Sequence, residues 1–350
     1  MHANSKHAVV ALSGGLDSAV AAVLLLEQGW QVLGVHLRLT DQAVAFDLAA
    51  LGNFLGIEVR QIDLRQEFRQ HVIDYFCQTY RSGRTPNPCV RCNEKIKFGH
   101  LLALVQAWGV PCLATGHYAC LAPARDGGWG LYRGADRGKE QSYFLHRLPR
   151  EILGNILLPL GAWTKDQVRA KAAALGLLPY ILPRESQELC FIAGKYSDYL
   201  ASCLPAGQSR PGPIVNRQGV IVGQHRGLPY YTVGQRQGLG IAAAAPYYVL
   251  ELIPAANQLV VGGREDLLTE VVEVEAVNWL VPPEPAPFRA AVRLRYRHPG
   301  VGCLIQPRPD GSAGVTLEQP QAAVTPGQAA VFYRGDQVLG GGWIRGGGER

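Results

Sequence analysis

Two groups of residues in this sequence have the types and spacing to do chemistry. The first is Ser13-Gly14-Gly15-Leu16-Asp17-Ser18, set between the apolar runs Ala8 to Leu12 and Ala19 to Gln28. Glycine lets a backbone approach a ligand closely, because no Cβ stands in the way. At a strand-to-helix join, backbone N–H groups and the helix N-terminus face one point, which suits an anion such as pyrophosphate. The run is not a Walker A loop, since no Gly-Lys-Ser/Thr follows. An ordinary turn would need only one or two of these residues. The second group is the thiols. Cys89 and Cys92 form a Cys-x-x-Cys pair within Arg84 to Phe98, approached through Pro86 and Pro88, which make the chain extended and stiff. Cys92-Asn93 leads into a helix. A thiol near a helix start, with Arg91 and Lys95 beside it, is expected to ionise below the free value of about 8.5. Cys190, in Ser186-Gln187-Glu188-Leu189-Cys190-Phe191-Ile192, is the third thiol in a polar setting. Cys77, Cys112, Cys120, Cys203 and Cys303 sit in apolar patterns and read as small core residues. His117, beside Gly116 at a strand end, reads as ligand-facing, and His225 and His298 as surface residues.

The elements that must position these groups alternate between strand and helix. Ala8 to Leu12, Gln31 to Leu39, Glu58 to Leu64 and Pro111 to His117 read as strands. Ala19 to Gln28, Ala43 to Leu55, Gln66 to Tyr80 and Lys95 to Trp108 read as helices. This order predicts an α/β fold with a doubly wound parallel sheet covered on both faces, and ligands in such sheets bind beyond the carboxyl ends of the strands. Ser13 and Thr115-Gly116-His117 lie at two such ends. Helices are expected from Arg150 to Leu200, one of them capped by Thr164 and closed by Gly176. Composition changes near Pro205, where Gly and Pro become frequent and strands short. Residues 213–222 read as a hairpin, Ala286-Pro287 precedes further strands, and Ala329 to Tyr333 and Gln337 to Leu339 read as the last ones. The expected division is a catalytic domain with a helical extension over 1–204, a small β domain over 205–268, and a barrel-like β domain over 269–350. The last residues, Gly346 to Arg350, are expected to fray.

At 350 residues the chain has room for two or three cores. It has no apolar run of about 18 residues for a membrane span and no signal-peptide pattern, so a cytoplasmic location is expected. Eight cysteines in such a length do not suggest a disulfide scaffold; clustered thiols point to metal binding or catalysis. A net charge of +6 is mild, but its distribution is informative. Arg81, Arg84, Arg91, Lys95 and Lys97 stand against the single Glu94, and Arg289, Arg293, Arg295, Arg297 and Arg308 have no acid among them. Two basic stretches suit one long polyanion. On a strand, alternation of Val292, Leu294 and Tyr296 with Arg293, Arg295 and Arg297 puts the three arginines on one face.

Ser13 to Ser18, between strand and helix, resembles the loop of the PP-loop ATP pyrophosphatases, which cleave ATP between its α- and β-phosphates. Nearly the whole chain resembles the bacterial tRNA-specific 2-thiouridylases. The carrying motifs are Ser13 to Ser18, Thr85 to Phe98, Ala114 to Tyr118, Gln141 to Leu145, Leu189 to Ile192, Tyr231 to Gly240, Arg295 to Arg297 and Val324 to Phe332. The resemblance implies ATP-dependent sulfur insertion at carbon 2 of the wobble uridine of tRNA, with lysine, glutamate and glutamine acceptors, Mg²⁺-ATP, and sulfur from a relay protein or cysteine desulfurase. By the same resemblance, Ala11, Leu12, Ser13, Gly14, Gly15, Leu16, Asp17, Ser18 and Gly116 hold ATP, with Leu37 against the adenine. Asn87, Pro88 and Cys89 lie against the target base. His117, Lys139, Glu140, Gln141, Arg295, Tyr296 and Gln328 meet the tRNA. Cys92 matches the nucleophile or acid and Cys190 the persulfide carrier, while Asp17 is placed to help bind Mg²⁺.

Chemically, the uracil 2-carbonyl is a poor electrophile, and adenylation turns its oxygen into a good leaving group. A sulfur carried on Cys190 then attacks the carbon, and Cys92 completes the exchange by closing a disulfide with Cys190. That requires Cα atoms about 4.4–6.8 Å apart in the reacting state. One departure opens a second route: Cys89 stands where the best-studied branch has Asp. Cys89, Cys92 and Cys190 together form the three-thiolate set that holds a [4Fe–4S] cluster with one open iron. Zinc is less suited, for want of an obvious fourth ligand. Two smaller departures are Glu140 in place of Asp and a short segment after Leu39. Two other functions stay in view: a PP-loop synthetase adenylating a small molecule, which needs neither Cys92 nor Cys190, and a non-catalytic tRNA-binding module. A monomer is the simplest expectation.

Overall fold

The computed structural model describes residues 6–42, 46–124, 127–182, 189–192, 196–203, 210–285 and 287–347. Ala43 at the start of the expected second helix, Ser186 to Glu188, the 204/205 boundary with Pro205, Ala286, and Gly348 to Arg350 lie outside the described residues.

In chain order, β1 (His7–Ala11), α1 (Leu16–Glu27), β2 (Gln31–Arg38), α2 (Leu48–Leu55) and β3 (Val59–Asp63) come first. They are followed by α3 (Arg65–Phe68), α4 (Asp74–Arg81), α5 (Pro88–Arg91), α6 (Leu102–Ala107), β4 (Cys112–Ala114), β5 (Ala119–Pro123), β6 (Trp129–Arg133), β7 (Ile156–Leu157), α7 (Lys165–Ala174) and α8 (Tyr196–Cys203). The remaining strands are β8 (Gly212–Asn216), β9 (Ile221–His225), β10 (Tyr248–Ile253), β11 (Gln258–Gly262), β12 (Leu268–Trp279), β13 (Phe288–Arg293), β14 (Val301–Pro307), β15 (Ala313–Ala322), β16 (Ala329–Arg334) and β17 (Gln337–Gly347).

The chain divides into two compact units, the first made of residues 1–72, 89–191 and 336–338, the second of the rest. The first holds a parallel sheet in the order β3-β2-β1-β4-β7. Val9 and Val10 of β1 are fully buried between its two neighbours, and α1 buries nearly its whole length from Ser18 to Leu25. A helix apolar all round belongs inside a core, and its shared cluster with Leu51, Val168 and Leu177 shows that it lies in one. The strand order reverses between β1 and β4, so the loops leaving those two strands flank a topological switch point.

In the second unit, β8 to β11 form a four-stranded sheet in the order β10-β11-β8-β9. Strands β12 to β17 run β12-β15-β14-β13-β16-β17, and pairing of β12 with β17 closes them into a six-stranded barrel around Val272, Ile305, Val315, Phe332 and Ile344. The α/β class with a parallel sheet and a closing barrel agrees with the sequence.

Four local expectations are corrected. The helices over 66–80 and 95–108 contain π-helical stretches, Arg69–Ile73 and Cys92–Leu101. The strand at 111–117 is confined to Cys112–Ala114. The arginine alternation ends with β13: Arg293 is buried, its guanidinium donating to the carbonyls of His298 and Tyr296, and the chain turns there. Only Arg295 and Arg297 of the three are exposed. His225 and His298 are buried, not on the surface: His225 Nε2 lies 2.9 Å from the Asn257 carbonyl and His298 Nε2 2.9 Å from Gln321 Oε1.

Candidate active site

The glycine loop follows β1 directly. Gly14 takes φ +79°, a left-handed conformation open to glycine at little cost, and the Phe46 ring packs where its Cβ would stand. Ser18 Oγ closes the loop by donating to the Gly15 carbonyl at 3.0 Å, and it accepts the Ser13 N–H at 3.1 Å. Gly15 is the N-cap of α1, and no side chain caps that end, so the first-turn N–H groups are left to a ligand. Gly116 fits against this turn: a Cβ there would stand 2.7 Å from the Asp17 carbonyl carbon and 2.8 Å from the Ser18 nitrogen. The end of β4 and the loop after β1 therefore meet backbone to backbone. Leu37 is the penultimate residue of β2, and His36 Nδ1 beside it lies 2.8 Å from the Leu12 carbonyl. Phe46 stands edge-on to His36 at 5.3 Å. These residues fit a nucleotide: a glycine cradle, an uncapped helix N-terminus and an apolar wall at one end of the sheet.

Two neighbours of this loop were not singled out in the sequence. The Asp17 carboxylate takes hydrogen bonds from Lys165 Nζ at 2.7 and 2.9 Å and from the Tyr118 hydroxyl at 2.7 Å. A signal for Lys165 did exist. It is the first residue of α7, where a cation opposes the helix dipole.

The thiols gather around one cation. Cys89, Cys92 and Cys190 are free thiols, and all three feel the charge of Lys97. Cys190 is also close enough to influence both Cys89 and Cys92. The expectation of a readily ionised Cys92 is reversed. Burial pushes it up to about 12, with Lys97 opposing and the other two thiols adding to the rise. Arg91 and Lys95 do not help, because they pair with Glu94 at 3.0 and 3.3 Å, and Arg147 joins them at 3.5 Å. Burial raises the Glu94 carboxyl, but Arg147, Arg91 and Lys95 outweigh it and hold the group low. Cys89 and Cys190 are exposed to solvent yet closely walled by protein, and desolvation raises both, with Lys97 pulling the other way.

His117 links the two halves of the site. It is buried, its Nδ1 lies 2.7 Å from Thr115 Oγ1, and its ring meets Phe98 at 6.0 Å. Burial, then the charge of Lys97, pushes its pKa well below the ordinary value, so the ring is neutral. Gly116 thus touches the loop, and His117 next to it shares Lys97 with the thiols.

The other anticipated contacts are placed as follows. Glu140 is buried and accepts the Ser142 N–H at 2.5 Å; Gln141 Oε1 accepts the Tyr118 N–H at 3.0 Å; Lys139 is partly exposed. In the second unit Asn87 and Pro88 are buried, Arg295 is exposed, and Tyr296 is half-buried. Gln328 Nε2 donates to the carbonyls of Pro86 at 3.0 Å and Thr85 at 3.3 Å. The basic stretches are less bare than the sequence implied. Arg84 pairs with Glu275, Arg289 with Glu318 and Arg308 with Glu273, all supplied by other strands. Among the described residues, no group of three His, Cys, Asp or Glu side chains is assembled to hold a metal ion.

Three domain families match the chain in sequence: the tRNA methyl transferase HUP domain over residues 6–194, the tRNA methyl transferase PRC-barrel domain over 197–263, and the aminomethyltransferase beta-barrel domain over 269–344. Among curated relatives, the tRNA-specific 2-thiouridylase MnmA of Moorella thermoacetica is 43% identical over 353 residues, covering 96% of this chain and 98% of the relative. Its counterpart in Chloroflexus aurantiacus strain J-10-fl is 45% identical over 351 residues, covering 96% and 97%. That of Magnetococcus marinus is 44% identical over 351 residues, covering 96% and 98%.

Proposed function

The chain belongs to the tRNA-specific 2-thiouridylases, and from that premise we propose that it thiolates carbon 2 of the wobble uridine of tRNA through an adenylated intermediate. The uracil O2 attacks the α-phosphorus of ATP bound at Ser13 to Ser18, so that AMP is transferred to O2 and pyrophosphate leaves, held by the loop amides. The terminal sulfur of a Cys190 persulfide attacks C2 and expels AMP. The Cys92 thiolate then attacks Cys190 Sγ, breaking the S–S bond. The sulfur stays on the uracil, and a Cys92–Cys190 disulfide is left for a thiol reductant to open. Cys92 must lose its proton for this step, and Lys97 is the cation that favours the anion.

The observation that carries this reading is the continuity from loop to thiols: Gly116 packs against Asp17 and Ser18, His117 follows it in the chain, and the charge of Lys97 is felt by His117 and by all three cysteines. The sulfur route draws its support from Cys190 lying close enough to influence Cys92, the pair that must close the disulfide. We assign lysine, glutamate and glutamine tRNAs as acceptors, a persulfide-bearing relay protein or cysteine desulfurase as donor, and the cytoplasm as location. Among the described residues no helix is long and apolar enough to cross a membrane.

Mass spectrometry of nucleosides from tRNA incubated with the protein, ATP, Mg²⁺ and a persulfide donor tests the reading. We expect 2-thiouridine at the wobble position, lost in Cys92→Ser and Cys190→Ser while ATP binding persists. Sulfur appearing in either variant would overturn the thiol assignment. Stoichiometric iron in anaerobically purified, active protein would overturn the persulfide route in favour of the cluster.

A further inference from the structure

Asp17 poses an electrostatic problem. A carboxylate in the first turn of α1 stands in a loop built to hold an anion, where it should repel phosphate. Resting on the reading of this loop as the ATP cradle, we propose that Lys165 and Tyr118 are positioning residues that neutralise Asp17 and aim one of its oxygens at the divalent cation that accompanies ATP.

The geometry is asymmetric. The Lys165 side chain is 5% exposed and that of Asp17 34%, so the ammonium lies behind the carboxylate and the carboxylate faces outward. Asp17 Oδ1 accepts two donors, Lys165 Nζ at 2.7 Å and the Tyr118 hydroxyl at 2.7 Å. Oδ2 accepts one, Lys165 Nζ at 2.9 Å, and keeps lone-pair capacity for a cation. Both donors are themselves fixed. The Lys165 N–H donates to Asp136 Oδ2 at 2.8 Å, and a Thr164–Gln167 capping box sets the turn that carries it. Tyr118 is held at both ends of its peptide by Gln141, whose Oε1 accepts at 3.0 Å and whose N–H donates at 2.8 Å.

Stability does not explain the pair. Desolvating an ammonium is costly, and apolar residues of the same volume usually serve a core as well or better. A lysine at the first position of a helix also works against the dipole. What the pair supplies is a carboxylate of fixed orientation with its charge cancelled, so that ATP is not repelled before its metal arrives.

The test is equilibrium binding of ATP to the full chain, by calorimetry, in EDTA and across a range of Mg²⁺. In Lys165→Met, ATP affinity in EDTA should fall about tenfold from the uncompensated carboxylate. Adding Asp17→Asn to that variant should restore it. Tyr118→Phe keeps the charge balance, so its affinity in EDTA should stay as in the parent, while the Mg²⁺ needed for half-maximal ATP binding rises severalfold. Lys165→Met binding ATP like the parent, or losing affinity equally with and without Asp17→Asn, overturns the neutralising role. An unchanged Mg²⁺ requirement in Tyr118→Phe overturns the aiming role, and this arm stands even if Lys165→Met does not fold. A parent protein that binds no ATP in any condition overturns the cradle itself, a distinct result.

Discussion

At Cys92 two local influences compete and burial wins. The sequence displays Arg91 and Lys95 beside the thiol, which is why easy ionisation was expected. It does not display that Glu94 engages both cations or that the side chain is shut off from water. Counting neighbours in sequence sees charges and misses desolvation, which depends on the whole surrounding shell. We expect iodoacetamide at pH 7.5 to label Cys89 and Cys190 before Cys92, and Cys92 labelling to keep rising with pH beyond 9. A Cys92 rate that levels off near neutrality would contradict the buried thiol. Lys97→Met should slow labelling of Cys190 by a factor of about three to ten, read by mass spectrometry of the labelled peptides.

Among the elements, the π-helical stretch Cys92–Leu101 changes which residues share a face. In an α-helix, residues five apart diverge by roughly 140°. In a π-helix, with roughly 4.4 residues per turn, they come within about 50°. The wider turn thus brings Lys97 round to the side of Cys92. Gly99 permits it, since a Cβ there would stand 3.0 Å from the Glu94 carbonyl oxygen. Gly99→Ala should cost about 1–2 kcal/mol by chemical denaturation and lower thiolation. Gly116→Ala, facing three backbone atoms closer than 3.0 Å, should cost more and weaken ATP binding. Neither helix register nor strand length was legible. Apolar spacing marks a buried face, but α- and π-helices satisfy it alike over ten residues. Val292-Arg293-Leu294-Arg295 alternates as a strand would, and only the bonds of the Arg293 guanidinium to the following carbonyls show that the chain turns.

For the molecule as a whole, the parallel sheet, the glycine loop at its switch point and the closing barrel were all foreshadowed, because each rests on a long or repeated pattern. Buried polar contacts joining distant segments, such as Asp17 with Lys165, leave no trace in local spacing. Such groups also set the response to acid. His117 is held well below the ordinary value and His146 is lowered to about 3 by burial, against 6.5 in the unfolded chain. The unfolded chain therefore binds more protons below pH 6.5. The stability these two groups leave intact above that pH is lost as the pH falls toward 3. Between pH 6.5 and 5 the loss from His146 should be about 2 kcal/mol, with His117 adding in the same direction, seen as a falling urea midpoint. A midpoint constant over that range would contradict their neutral burial.

The seam of the barrel carries one more consequence. Val272 opposite Gly347 and Val274 opposite Ile344 stitch its first strand to its last, so neither of these two strands leaves the barrel a bare row of amides and carbonyls for another molecule. Shortening the chain to end before Trp343 would unzip that seam and leave β12 as a sticky border. Such a truncate should self-associate as its concentration rises, where the full-length chain stays dispersed.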